Sequence, residues 1–122
     1  MEKYIGIPYV FNGRDERGLD CYGLVRLVEK EVFHKELPLL ADLDENDRTG
    51  ALAENRPLIP AEQVDNPVDG DIVLLFLHDV PQHIGVYWNR GVLHATNKSG
   101  VVWEKLNSKY MCRFNKKEFY RV

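Results

Sequence analysis

Six consecutive apolar residues, Ile72-Val73-Leu74-Leu75-Phe76-Leu77, constrain this chain more than any other feature. The run is far too short to cross a membrane, which takes about 20 apolar residues. It also lacks the alternation of a strand with one wet face. It reads as a strand over Asp71 to Leu77, opened by the turn Asp69-Gly70 and buried on both sides. Such a strand needs cover on each face. Further strands are expected at His83 to Trp88, Gly91 to Thr96 and Val101 to Leu106, with turns at Asn89-Arg90 and Lys98-Ser99-Gly100; Phe119 to Val122 then closes the sheet. Helical periodicity lies upstream. Leu24, Val25, Val28 and Val32 recur at helical spacing, so a helix is expected from Cys21 to about His34, ending before Pro38. One helical half followed by an antiparallel meander is an α+β fold.

At 122 residues the chain is long enough for one domain with a real core, 1–122, and too short for two ordinary ones. Apolar residues at 44% and charged ones at 29% exclude wholesale disorder. A net charge of -3 with scattered cations leaves no nucleic-acid footprint, and no run reaches membrane length, so neither partner is expected. The start, Met1-Glu2-Lys3-Tyr4-Ile5-Gly6, lacks a basic stretch followed by an apolar one; no signal peptide is expected, and the cytoplasm is the default location. Cys21 and Cys112 both read as thiols, because a chain with this much core needs no staple.

Met1 to Tyr9 reads as a lead-in and Tyr9 to Leu19 as loop. Residues 40–66 are the least patterned, with a short helix expected near Gly50 to Asn55. Asp42, Asp44 and Asn46 have the spacing of a calcium loop, but Asp47 occupies its glycine position and Ala53 its closing glutamate position; a solvated acidic loop is the reading. Lys105, Lys109, Arg113, Lys116, Lys117 and Arg121 make the last stretch basic, by default a solvated face.

Chemistry centres on Gly18-Leu19-Asp20-Cys21-Tyr22-Gly23-Leu24-Val25. Asp20 is a residue type that caps a first turn, and a thiol just inside that turn lies at the positive end of the helix dipole, which favours thiolate below the free thiol pKa of about 8.5. That suits a nucleophile; a small buried apolar residue is the plain alternative. A thiolate nucleophile needs a base, and the base needs an orienting group. If Asn89-Arg90 is a two-residue turn, Gly85 stands opposite His94, and His83 and His94 share a face within about 8 Å. If Gly91 joins the turn, the register slips and the two histidines point to opposite faces. The first register gives both rings a shared purpose. His34 suits a helix end, and His78, in a loop before Pro81, is a reserve candidate for the base.

Together, Tyr9-Val-Phe-Asn-Gly13, Leu19-Asp-Cys-Tyr-Gly-Leu-Val25, Asp69-Gly-Asp-Ile72, His83-Ile-Gly-Val-Tyr87 and Leu93-His-Ala-Thr96 resemble the NlpC/P60 family of cysteine peptidases, in the family's order and over nearly the whole chain. The form around Cys21 is similar to versions in tail proteins of long-tailed phages, which would make phage tail proteins partners. The resemblance implies a papain-like fold with the nucleophile helix packed on an antiparallel sheet. It implies Cys21 as nucleophile, His83 as general base, His94 as its orienting group, Tyr9 near the oxyanion or substrate, and Asp20 near a substrate amine. The implied reaction is hydrolysis of a peptidoglycan stem-peptide amide, commonly D-γ-glutamyl to diaminopimelate, with no metal or cofactor. Tyr22 stands where the family often has Ser, beside the substrate groove, and Asn12 replaces a common glycine. Rival readings are a thiol amidase or acyltransferase on a non-wall substrate, a non-enzymatic tail assembly protein, and a zinc site on Cys21, His83 and His94.

Overall fold

Asp20 begins the helix as its residue type predicts: its backbone is extended and its side chain accepts the Gly23 N–H. The computed structural model describes residues 1–37 and 61–122. In chain order the elements are β1 (Arg14–Asp15), β2 (Gly18–Leu19), α1 (Cys21–Phe33), β3 (Glu62–Val64), β4 (Ile72–Leu77), β5 (Val80–Trp88), β6 (Gly91–Thr96), β7 (Gly100–Lys105) and β8 (Lys116–Arg121). The helix ends at His34, which takes the left-handed conformation (φ 58°) usual for a helix-ending glycine or asparagine, while Lys35 N–H returns to the Glu29 carbonyl. Leu24, Val25 and Val28 form the buried stripe. Val32 continues their spacing but is 36% exposed, because the stripe leaves the sheet before the helix ends.

All pairing in the main sheet is antiparallel, and its strand order is β3-β8-β4-β5-β6-β7. β4 to β7 form the expected meander. The expected last strand is present and begins earlier, at Lys116; β8 returns to pair with β4 on the side away from β5. Arg121 fixes that return with a bidentate pair to buried Asp71, at 2.8 and 2.9 Å. Two segments read as irregular hold short strands: Tyr9 to Leu19 contains the β1–β2 hairpin, and β3 lies within 40–66. The expected helix at Gly50 to Asn55 and the acidic stretch at Asp42, Asp44 and Asn46 lie outside the described residues. No helix among the described residues is long and apolar enough to cross a membrane.

β4 is buried on both faces, as its composition requires. Ile72, Leu74 and Phe76 join Ile84, Val86, Leu93 and Ala95 against α1, while Val73 and Leu75 join Val92, Met111 and Phe114 on the other side. Met111 and Phe114 come from the β7–β8 connection, which includes a 3-10 turn at Met111–Arg113. Asn89 and Arg90 both have positive φ, 50° and 63°, and Trp88 faces Gly91, so the turn has two residues and the first register holds. β5 starts earlier than expected. Pro81 enters it through a bulge, since Leu75 faces His83 while Phe76 faces Pro81.

Candidate active site

Cys21, only 3% exposed, occupies the first turn of α1, and a network tuned to that turn surrounds it. Asp20 accepts from Gly23 N–H at 2.7 Å and from Asn12 N–H at 3.0 Å, and Arg14 Nη1 lies 3.4 Å from its Oδ1. One carboxylate thus joins the helix start to the hairpin before it. Asn12 has φ 61°, which asparagine tolerates better than most residues, so the loss of the family's glycine leaves this bend intact. Gly23 is needed for proximity: a Cβ there would collide with the Gly13 carbonyl oxygen. Tyr9 bridges to Leu19, and its ring packs partly buried against the helix-side core. Tyr22, next to Cys21 in the first turn, is as deeply buried as the thiol. Its ring is 5% exposed and belongs to that core, where burial pushes the phenol up to about 12 against the opposing charges of Arg26 and Arg14.

The second part of the site is built on β5 and β6. His83 Nε2 and His94 Nδ1 are 2.9 Å apart, with ring centroids 5.0 Å apart and nearly perpendicular rings. Gly85 permits this: a Cβ there would come within 2.6 Å of Val92 Cγ1 and 3.1 Å of His94 Cβ. The β7–β8 connection covers both rings. Phe114 stacks on His83 with centroids 6.4 Å apart, and Tyr110 lies 5.1 Å from His94. Burial depresses the His94 pKa to about 4, so this imidazole is neutral at neutral pH. Its Nε2 faces Glu104 Oε2 across 3.7 Å.

A cavity of about 270 Å³ opens beside His83, with walls that include Thr96, Asn97, Tyr110 and Arg113. The same four residues help line a second cavity of about 490 Å³, which extends to Lys98 and Glu104. Arg113 is the cation common to both, its guanidinium stacked over the Tyr110 and Phe114 rings at 5.1 and 5.6 Å. Burial raises the Tyr110 pKa; Arg113 opposes the rise, and the charges of Glu104 and Cys21 add to it. Tyr110 is in ring contact with His94. The two histidines meet directly.

The two remaining histidines are elsewhere: His34 ends the helix, and His78 lies in the β4–β5 turn. Cys21 and Cys112 are both free thiols. Among the described residues, no three His, Cys, Asp or Glu side chains are grouped as metal ligands. Sequence reasoning missed Arg14, Glu104, Tyr110 and Phe114. Glu104 had a signal: β6–β7 register sets His94 opposite Val102, which puts Glu104 diagonally beside it on the same face. The aromatic pair had none, because the path of the β7–β8 connection is not written locally.

The NlpC/P60 family profile matches residues 6–118. The chain is 28% identical over 114 residues to the murein DD-endopeptidase MepS/murein LD-carboxypeptidase of Escherichia coli (strain K12), covering 90% of this chain and 55% of that protein. It is 30% identical over 112 residues to the probable endopeptidase NlpC homolog of Haemophilus influenzae, covering 91% and 54%. The chain thus spans about half the length of these curated relatives. Among solved structures, the NlpC/p60 domain of peptidoglycan hydrolase SagA superposes with a TM-score of 0.63 at 18% identity, covering 98% of this chain and 90% of that one. An NlpC/P60 family protein from Bacillus cereus gives 0.65 at 20% identity, covering 99% and 37%. At these identities the structural likeness establishes the fold.

Proposed function

The chain belongs to the NlpC/P60 family, and from that premise we propose that it is a cysteine peptidase cleaving an amide in peptidoglycan stem peptides, the D-γ-glutamyl to diaminopimelate bond in particular. The observation that carries the reading is the 2.9 Å contact between His83 Nε2 and His94 Nδ1. It engages one nitrogen of His83, and in this reading the other, Nδ1, moves the proton. Cys21 gives its proton to that nitrogen, and the thiolate attacks the amide carbonyl. Backbone N–H groups at the start of α1 hold the oxyanion, with Tyr9 nearby. The tetrahedral adduct collapses, the C–N bond breaks, and His83 protonates the leaving amine. Water, deprotonated by His83, then hydrolyses the thioester and restores the thiol. No metal or cofactor takes part.

Stem peptides carry free carboxylates, and Arg113 offers a cation in the cleft beside His83 to receive one. Asp20 is engaged by Asn12, Gly23 and Arg14, so its part in the reaction is to fix the turn that presents Cys21. Delivery on a phage tail is the route to the wall we attach to this reading, on the form of the Cys21 motif alone; proteomics of purified virions tests it.

Incubating stem peptides with the protein and with its Cys21→Ala variant, followed by mass spectrometry, tests the activity. The expected result is cleavage of the γ-glutamyl bond, lost by at least about 10³-fold in the variant. A peptide left intact by a protein whose Cys21 alkylates rapidly, and slowly after His83→Ala, would move the reading to a thiol amidase with another substrate. Unreactive Cys21 would favour an assembly role.

A further inference from the structure

His94 is 0% exposed, and its Nδ1 is occupied by His83. Its Nε2 has no partner at hydrogen-bond length among the described residues, yet it faces the Glu104 carboxylate at 3.7 Å. Glu104, partly exposed, has one contact to the β7–β8 connection. Ser108 Oγ–H donates to its Oε2 at 3.4 Å and accepts from Met111 N–H at 3.2 Å, which ties Glu104 to the turn that brings Tyr110 over His94.

A neutral imidazole carries one N–H, and here its location decides what His83 can do. With the proton on His94 Nδ1, that N–H would donate to His83 Nε2 and force the His83 proton onto Nδ1. His83 could then take nothing from a thiol at Nδ1, and a bare His94 Nε2 lone pair would face a carboxylate. With the proton on His94 Nε2, the N–H points at Glu104, Nδ1 accepts from His83 Nε2–H, and the Nδ1 lone pair of His83 is the proton acceptor. We infer that Glu104 is a positioning residue: its carboxylate selects the Nε2–H form of His94 and, through it, the form of His83 that accepts the Cys21 proton. The catalytic consequence rests on the function proposed above, whereas the tautomer choice does not. The charged and titratable groups around His94 are His83, Tyr110 and Glu104, with Arg113 along the shared cavity wall and the Cys21 charge felt at Tyr110.

The test combines nitrogen-15 NMR of the imidazoles in the full chain at pH 7 with the rate of Cys21 alkylation across pH, in wild type, Glu104→Ala and Glu104→Gln. Wild type is expected to show His94 protonated on Nε2. Glu104→Ala should lose that preference, slow alkylation at neutral pH about tenfold and lower kcat by a similar factor with KM within about twofold. Glu104→Gln, whose amide oxygen still accepts the N–H, should restore most of each. An Nε2–H tautomer and an alkylation profile both unchanged in Glu104→Ala would overturn the inference. If Glu104→Ala shifts the tautomer while His83→Ala leaves alkylation untouched, the proposed catalytic assignment fails and the role of Glu104 stands. If His83→Ala slows alkylation and Glu104→Ala changes nothing, only the inference fails.

Discussion

The helix-covered face of the sheet and the face covered by the β7–β8 connection each lie beside a deeply buried ionisable side chain, and the two are treated in opposite ways. On α1, Glu29 is 1% exposed, and its Oε1 has no hydrogen-bond partner among the described residues. Burial raises its pKa to about 7, helped by Asp71 and opposed by Lys35. On the far face, His94 sits among His83, Tyr110 and Glu104. Burial depresses its pKa to about 4. The first group is a carboxyl kept out of water with one oxygen that has no hydrogen-bond partner among the described residues. The second is kept neutral within a set of partners that uses its neutrality. Desolvation alone does not mark a working group; the arrangement around it does.

The contrast has a sign that can be measured. Glu29 holds its proton more tightly folded than unfolded, so its contribution to stability is present below its ordinary value of 4.5 and is lost as pH rises through about 7. His94 holds its proton less tightly when folded, so its contribution is lost as pH falls below its ordinary value of 6.5 toward about 4. Over the shared window the two slopes oppose each other, and urea denaturation of wild type should show a curve flatter than either group alone would produce. The largest effect expected is from Glu29→Gln, which should stabilise the protein by about 3 kcal/mol at pH 8 and by far less at pH 4. Equal gains at both pH values would mean that Glu29 is not titrating in the fold. Next, His94→Asn should leave a curve that falls with pH through the Glu29 window, with the opposing His94 rise gone. A curve parallel to wild type there would break the comparison. The smallest effect belongs to the helix start: Asp20→Ala should cost about 1 kcal/mol, and Asp20→Asn, which still caps, only a few tenths. An equal loss in both variants would assign the stabilisation to Arg14 rather than to the cap.

What was legible in the sequence was local. Asp20 and the periodicity of Leu24, Val25 and Val28 are read within one helical turn or two, and both hold in the structure. The histidine register was a fork in the sequence, chosen on the shared purpose of the two rings, and the positive φ of both Asn89 and Arg90 is what decides it in the structure. The return of β8 to β4 was not legible, since no residue in either strand names its partner. For the same reason Tyr110 and Phe114, which cover the histidines, looked like members of a basic tail. Glu29 was hidden differently: it follows Val28 on the buried side of the helix, where a carboxylate reads as a surface residue until its burial is seen. Tyr22 stands beside the thiol in sequence, and the first helical turn buries both in one cluster.

The path of β8 also sets an order of assembly. The hairpins from β4 to β7 join strands that are neighbours in sequence, whereas β8 must close a loop reaching back over three strands to find β4. Loop-closure entropy makes that pairing the costlier step. That pairing anchors the far end of the connection that carries Tyr110 and Phe114 over the histidines and along the cleft beside His83. β8 is thus a clasp: a strand that carries none of the proposed catalytic side chains fixes the cover of the pair that does the chemistry.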